Sequence, residues 1–214
     1  MPEALILTPG LSFDDELHTY TLDGEQVPGV TGAIEAAGFV SPFARDDEEA
    51  MARGVAVHAA THYDDEGDLA PDSVTEIVAP YLEAWRRFRR ETGFTLPPLF
   101  DGRIGCEVAL ASRVYRFATI LDRLGFFPRA NLTLAVLDIK TGSPGDAAAL
   151  QTAAQMMLCI ENNIPAAERF AVKLNDDGSY RLHHYKRSDY LRDRDDFLAC
   201  LRVSRRLRNG KENR

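Results

Sequence analysis

Two aspartates and a lysine are the residues of this sequence whose types and spacing best suit chemistry. Asp122 follows the apolar run FATIL, and Asp138 and Lys140 close the apolar run in AVLDIK. Both runs are predicted to be β-strands, and each places its aspartate at a strand end. Because side chains two residues apart in a strand point to the same face, we expect Asp138 and Lys140 to lie side by side, with Ile139 turned into the core.

Two carboxylates and a lysine can support metal-assisted hydrolysis of a phosphodiester. Carboxylate oxygens suit a hard cation such as Mg²⁺ or Mn²⁺. Such a cation polarises the phosphate and helps to generate hydroxide, while a nearby lysine can orient the water and offset developing charge. The same residues could instead form a buried Asp–Lys ion pair, or exposed charges where strands end. The residues alone leave both interpretations open.

The N-terminal half is predicted to contain a hairpin and helices. The stretch HTYTLDGEQV alternates in polarity around Asp-Gly, which is a strong hairpin signal. VTGAIEAAG predicts a short helix with Thr31 as its N-cap and Gly38 as its end. Longer helices are predicted over residues 42–63 and 73–92. The second of these rests on apolar residues at helical spacing, namely Ile77, Tyr81, Trp85 and Phe88.

The second half is predicted to form the sheet. GCEVALAS, YRFATILD and LTLAVLDIK are typical of strands, as are ERFAVKL and SYRLHHY. Between these two groups a helix is expected in DAAALQTAAQMMLCIENN, capped by Asp146, and a final helix over residues 188–208. This order predicts the α/β class: a central mixed sheet flanked by helices, with an additional N-terminal helical part.

Charge is distributed unevenly along the 214 residues, whose formal net charge is −8. Residues 1–101 contain 20 acidic and 6 basic residues, whereas residues 102–214 contain 13 acidic and 19 basic ones. An acidic protein can therefore still present a basic working surface, although two differently solvated faces would give the same pattern. We expect a cluster of Lys or Arg residues around Asp122 and Asp138.

Several classes of protein are disfavoured by composition. No apolar run is long enough to span a bilayer, and the first residues do not resemble a secretory signal. The three cysteines are far apart and form no C-x-x-C pair, which disfavours a disulfide framework or a cysteine zinc site. A cytoplasmic protein without a membrane partner is the simplest expectation.

The motifs together resemble the PD-(D/E)XK nuclease superfamily, and within it the RecB-type and phage-type exonucleases. The resemblance begins with FATILDRLG, followed 16 residues later by LDIKTG and then by Gln151 on the next helix. Upstream, VPGVTGAI is similar to the V-P-S-V-T-x-I-L element of these enzymes, and RGVAVHAA to their R-G-x-x-x-H helix. Each motif is short, but they occur in the expected order from about His18 to Gln155.

The resemblance implies a role for each matching residue. Asp122 and Asp138 match the metal-binding carboxylates, and Lys140 matches the catalytic lysine. The resemblance also implies His58 and the backbone carbonyl of Ile139 as metal ligands. Glu107 is implied less specifically, because it could equally be a strand-edge or substrate-facing carboxylate. Gln151 matches the glutamine of the Q-x-x-x-Y motif, which lies near the active site and contacts DNA.

The chain departs from the family pattern at two positions. Gln155 stands where the motif has Tyr, and Leu121 precedes Asp122 in place of Pro. None of these changes removes an implied metal ligand or the lysine. An active enzyme is therefore expected.

The resemblance implies a single nuclease domain over residues 1–214 with a restriction-endonuclease-like core. Residues 1–101 would supply the hairpin and the helical part carrying His58, and residues 102–214 the catalytic sheet. The implied activity is a Mg²⁺- or Mn²⁺-dependent DNA exonuclease that leaves 5′-phosphates, in phage-type recombination, repair or DNA degradation. The implied partner is single- or double-stranded DNA with free ends, and a homo-oligomer is possible in the wider superfamily. A non-catalytic binding module and a structure-specific or nicking endonuclease remain alternatives.

Other motifs are weaker. His58 and His62 have zinc-ligand spacing, but Ala59 occupies the position of the general-base glutamate of H-E-x-x-H. His62 is therefore expected to support His58 or to pack. The WRRFRR run and the basic C-terminal tail could contact phosphates, or could form solvated surface.

Overall fold

The computed structural model describes residues 4–39, 48–100, 102–128 and 133–212. The strands are β1 Leu5–Ile6, β2 Leu11–Asp14, β3 Thr19–Leu22, β4 Glu25–Val27, β5 Pro98–Phe100, β6 Arg103–Ile104, β7 Cys106–Ser112, β8 Phe117–Phe127, β9 Thr133–Lys140, β10 Glu168–Leu174 and β11 Tyr180–Tyr185. The helices are α1 Val30–Ala36, α2 Glu48–Glu66, α3 Ala79–Thr92, α4 Asp146–Glu161 and α5 Tyr190–Glu212, with short 3₁₀ helices at Pro71–Ser73 and Arg187–Asp189. Within these residues, no helix combines the length and apolar character needed to cross a bilayer.

A six-stranded mixed sheet forms the centre, in the order β1-β7-β8-β9-β10-β11. The β1–β7 and β9–β10 pairs are parallel, and the β7–β8, β8–β9 and β10–β11 pairs are antiparallel. Strands β2, β3 and β4 form a separate three-stranded sheet, which contains the predicted Asp-Gly hairpin. The predicted α/β class, with a mixed sheet flanked by helices, is confirmed.

The sheet separates two apolar layers. On one face, side chains of α1, α4 and α5 pack against residues of β7, β8 and β9, such as Leu110, Leu124 and Val136. On the other face, α2 and α3 pack against Leu137, Ile139 and Val172. Strand β9 therefore sends alternate side chains into both cores, as its nearly continuous apolar sequence predicts.

Strand β8 is longer than the sequence predicts. Asp122 was expected at a strand end, but β8 continues to Phe127, so Asp122 lies in the interior of the strand. The prediction was wrong because Arg123 resembles a strand terminus in the sequence, whereas the folded protein buries it completely with ionic partners. This placement brings Asp122 beside the end of β9.

Helix starts are the other corrections. The helix predicted from residue 73 begins at Ala79, because Pro80 fits only in the first turn of a helix, and Ile77 lies outside it with its side chain 67% exposed. The other members of the predicted stripe, Tyr81, Trp85 and Phe88, are buried. Thr31 and Asp146 were predicted N-caps, but the caps are the glycines that precede Val30 and Asp146, with no side-chain hydrogen bond.

Candidate active site

The end of β9 presents an ion pair towards helix α4. Lys140 Nζ lies 2.8 Å from Asp138 Oδ2 and donates a hydrogen bond of 3.0 Å to Gln151 Oε1. The predicted side-by-side placement of Asp138 and Lys140 is therefore present, and Gln151 joins them from the first turns of α4. Asp138 is fully buried, whereas the Lys140 side chain is 29% exposed.

Burial shifts the protonation of this pair. Burial raises the pKa of Asp138 to about 6; the Lys140 charge opposes the rise and the Asp122 charge adds to it. For Lys140, burial acts to lower the pKa, but the charges of Asp138 and Asp122 outweigh it and the pKa is raised. The lysine is therefore a cation at neutral pH and can act as an electrostatic group, not as a base.

The backbone of Ile139 connects β9 to Asp122 and His58. Its N–H donates a 2.6 Å hydrogen bond to Asp122 Oδ2, and its carbonyl lies 3.2 Å from His58 Nε2. A hydrogen bond from His58 to that carbonyl requires a proton on Nε2. In this tautomer of the neutral ring the lone pair is on Nδ1, which lies 3.6 Å from Asp122 Oδ1. His58 thus approaches the aspartate with the nitrogen that can bind a cation.

Glu107 reaches the same place through an irregularity between β7 and β8. Its φ is +45°, which is unusual for any residue other than glycine. The register runs from Cys106 opposite Arg123 directly to Val108 opposite Leu121, without a regular pair for Glu107. Leu121 and Leu124 also share one core, although side chains three apart in a regular strand point to opposite faces. Distortions of this kind re-aim side chains next to active sites.

His58, Glu107 and Asp122 together form a possible metal-binding set. One ligand atom of each residue lies within 4.8 Å of those of the others. Asp138 lies outside this set, because its carboxylate faces Lys140. Its two oxygens are buried and, apart from that ion pair, have no hydrogen-bond partner among the described residues. Glu107, Asp122 and His58 supply the oxygen and imidazole donors that Mn²⁺ binds, and their oxygens suit Mg²⁺.

The electrostatics of the set favour a bound cation. Burial, and then the negative charge of Asp122, raises the pKa of Glu107 to about 8, in spite of the opposing charge of Arg123. Glu107 is therefore mostly protonated near neutral pH, chiefly because it is buried. The residues fit a divalent ion, whose binding would displace this proton and leave a carboxylate ligand.

Arg123 holds the elements that carry His58, Glu107 and Asp122 together, and it was not among the site residues predicted from the sequence. Its guanidinium is fully buried and donates to Asp65 Oδ2 (2.7 Å), Thr61 Oγ1 (3.0 Å) and Glu107 Oε1 (3.2 Å). It also lies over the Trp85 ring, 5.5 Å from the ring centroid. Because Thr61 and Asp65 belong to α2, Arg123 fixes the helix that carries His58 against the strand that carries Asp122. An arginine inside an apolar strand, in LDRLGFF, is the signal that could have revealed it.

The remaining predicted groups have partners of their own, and phosphate contact by the WRRFRR run or the tail stays a prediction. His62 is buried, and its Nε2 lies 3.2 Å from Glu66 rather than near the candidate ligands, so it supports packing. Each of the four arginines of WRRFRR lies beside an acidic residue, the partners being Asp64, Glu91, Asp65 and Glu83. In the tail, Arg205 donates to the carbonyls of Tyr115 and Arg116. These pairings favour a structural role for the WRRFRR run.

A cleft of about 530 Å³ opens beside the lysine. Lys140 and Gln151 form part of its wall, the first residues of α4 form another part, and the VTGAI helix α1 closes it with Thr31 and Ile34. The cleft is continuous with the Asp138–Lys140 pair. It offers room for a substrate at the candidate site.

Comparison with known proteins gives likenesses to solved structures, and the two described here are distant. No family model matches the chain, and no curated protein shows a significant match. Among solved structures, LHK-Exo in complex with dAMP is 14% identical, with a TM-score of 0.40 over 88% of this chain and 95% of that one. A candidate exonuclease from Eubacterium rectale is 11% identical, with a TM-score of 0.44 over 84% of this chain and 81% of that one.

Proposed function

We propose that the chain is a Mg²⁺- or Mn²⁺-dependent deoxyribonuclease with a restriction-endonuclease-like core, and more specifically an exonuclease. The observation that carries the proposal is the meeting of two groups at one end of β9. One is the possible ligand set of His58, Glu107 and Asp122, and the other is the Asp138–Lys140 pair with Gln151. Their order in the sequence is that of the PD-(D/E)XK motifs.

In this proposal His58, Glu107 and Asp122 hold the cation, with Asp138 and the Ile139 carbonyl as further oxygen donors. When bound, the cation supplies Lewis-acid polarisation of the phosphate and lowers the pKa of coordinated water. Lys140 orients the attacking water and offsets the charge that develops on the phosphate, and the Gln151 carbonyl oxygen fixes the position of its ammonium group. Water attacks the phosphorus in line and the P–O3′ bond breaks, which leaves a 5′-phosphate and a 3′-hydroxyl.

The test is digestion of end-labelled DNA with and without Mg²⁺ or Mn²⁺. Single- and double-stranded linear substrates, compared with covalently closed circles, separate an exonuclease from a nicking endonuclease. We expect metal-dependent loss of linear DNA, with 5′-phosphorylated products, and no such activity in Asp138→Ala. If a clean preparation of Asp138→Ala degraded DNA at the wild-type rate, the proposal would be wrong.

A non-catalytic binding module is the competing function. Calorimetric titration with Mn²⁺ discriminates between the two, because a degenerate site should not bind the ion. A phage-type role in recombination, repair or DNA degradation follows from the motif resemblance, and comparing growth of the host organism with and without the gene under DNA damage would test it.

A further inference from the structure

A second cavity lies next to the candidate site and shares Ser143 and Pro144 with the cleft beside Lys140. Its volume is about 400 Å³, and the β9–α4 loop, β10 and β11 line it with Ser143, Pro144, Lys173, Asn175, Arg181 and His183. No carboxylate is found among these lining residues. The function proposed above assigns nothing to this surface.

Strand register connects the cavity to the catalytic lysine. Lys173 on β10 pairs with Lys140 on β9 and with Arg181 on β11. Paired residues on neighbouring strands share a face of the sheet, so the three cations form one row. Neighbouring strands lie about 4.8 Å apart, and the row therefore extends roughly 10 Å away from Lys140.

A parallel row runs from the other catalytic residue. Asp138 pairs with Ala171, which in turn pairs with His183. The buried Nε2 of His183 has no hydrogen-bond partner among the described residues. Burial, and then the charges of Arg181 and Lys173, lowers the pKa of His183, so its ring is neutral at neutral pH.

The two cations of the cavity are available to a ligand. Across the described ranges, neither Lys173 nor Arg181 lies in an ion pair, whereas each arginine of α3 has an acidic neighbour. Two neighbouring cations without acidic partners among the described residues suit the phosphates of a nucleic-acid backbone. Lys173 and Arg181 lie one and two strands away from Lys140, and the basic cluster expected around Asp122 and Asp138 themselves stays a prediction.

We propose that Lys173 and Arg181, which we call the β10–β11 strip, bind the backbone phosphates of one DNA strand immediately next to the phosphate that is cleaved. This proposal rests on the proposed function, because the strip extends from Lys140. It assigns the flanking strand to one side of the active site only. Contacts to phosphates position a strand without reading its sequence, so the binding should be independent of sequence.

Binding of a fluorescently labelled single-stranded oligonucleotide, measured by anisotropy in EDTA across a range of salt concentrations, tests the strip without any catalysis. The variant Lys173→Gln/Arg181→Gln is compared with Lys186→Gln/Arg187→Gln, which removes the same charge from exposed positions just beyond β11. For single strands the slope of log K against log salt changes by about 0.7 per phosphate contact. We expect the strip variant to lose about 1.4 from the slope, the control to match wild type, and Lys173→Arg/Arg181→Lys to restore the slope.

Replacing single phosphates by neutral methylphosphonates then locates the contact. The difference in DNA affinity between wild type and the strip variant should disappear when the neutral group replaces one or two adjacent phosphates on one side of the cleaved bond. An unchanged salt slope in the strip variant, or an effect equal to that of the control, would overturn the inference. A wild-type protein that binds with the expected slope but degrades no DNA with Mn²⁺ would instead overturn the proposed nuclease function.

Discussion

Replacing Glu107 by Gln should stabilise the metal-free protein and at the same time weaken its binding of divalent cations. Glu107 lies beside Asp122 with its side chain 16% exposed, and burial together with the Asp122 charge raises its pKa to about 8. Glutamine has nearly the same shape, and its carbonyl oxygen can still accept the 3.2 Å hydrogen bond from Arg123. The substitution therefore removes a charge while keeping the packing.

The magnitude depends on pH, and the sign follows from proton linkage. The carboxyl titrates near 4.5 in the unfolded chain and near 8 in the folded one, so between these values the folded state binds more protons. The stability of the wild type therefore falls as the pH rises through this window, and the Gln variant lacks this fall. At pH values above the folded pKa, the loss of stability has an upper limit of about 5 kcal/mol, because each tenfold change in proton affinity corresponds to about 1.4 kcal/mol. Water and side-chain relaxation reduce it, and we expect about 2 kcal/mol.

Thermal unfolding in EDTA, followed by circular dichroism, measures this difference. About 2 kcal/mol corresponds to a Tm increase of roughly 4 to 8 °C for a chain of this size. The increase should be present near pH 8 and small near pH 5. Glu83→Gln makes the same chemical change on the exposed surface of α3 and should have little effect.

Addition of Mn²⁺ should reverse the order of stability. A ligand at about 100 times its Kd stabilises the folded state by about 2.7 kcal/mol, so the wild type should gain Tm and the Gln variant much less. If Glu107→Gln unfolded at the wild-type temperature at both pH values, or gained as much from Mn²⁺, the reasoning about crowded carboxylates would be refuted.

Three further predictions concern stability. Arg123→Met removes one of the cations that neutralise the fully buried Asp65, and it should lower the free energy of unfolding by about 3 to 5 kcal/mol in chemical denaturation. A loss below about 1 kcal/mol would contradict a stabilising role for this ion pair. Gln155 is buried with its amide oxygen and nitrogen lacking partners among the described residues, so Gln155→Met should raise stability by about 1 kcal/mol in the same assay, and a loss would argue for a missing partner. Burial, and then the Arg123 charge, lowers the pKa of His62, so the unfolded chain binds a proton more readily than the folded protein. The stability of the wild type should therefore fall as the pH drops below 6.5. The Tm of His62→Asn should vary less over the same acid range.

Local patterns in the sequence predicted the geometry of β9 and the helix after it. The alternation of β9 places Asp138 beside Lys140, and the helix after it brings Gln151 within 3.0 Å of the lysine. Both results depend on regular geometry over a few residues, which a sequence expresses directly. The short strand β1 pairs in parallel with β7, which lies about a hundred residues later in the chain, and no local sequence pattern predicted this pairing.

Long-range contacts explain what the sequence did not reveal. Arg123 follows Asp122 and resembles the end of a strand in the sequence, but partners on other elements, among them Asp65 of α2, make it compatible with a buried strand. Glu107 joins His58 and Asp122 through a positive φ and a missing register pair, which are properties of two strands together. Whether Asp138 also binds the metal stays a prediction, since its carboxylate faces Lys140 in the described structure.

The central claim is that metal binding and the lysine act together to hydrolyse DNA, and Lys140→Ala tests it most directly. Mn²⁺ binding by calorimetry and the rate of linear DNA degradation should be measured on the same preparation of wild type and variant. We expect the variant to bind Mn²⁺ still and its degradation rate to fall by about 100-fold or more. A variant that degrades DNA at the full metal-dependent rate would contradict the account.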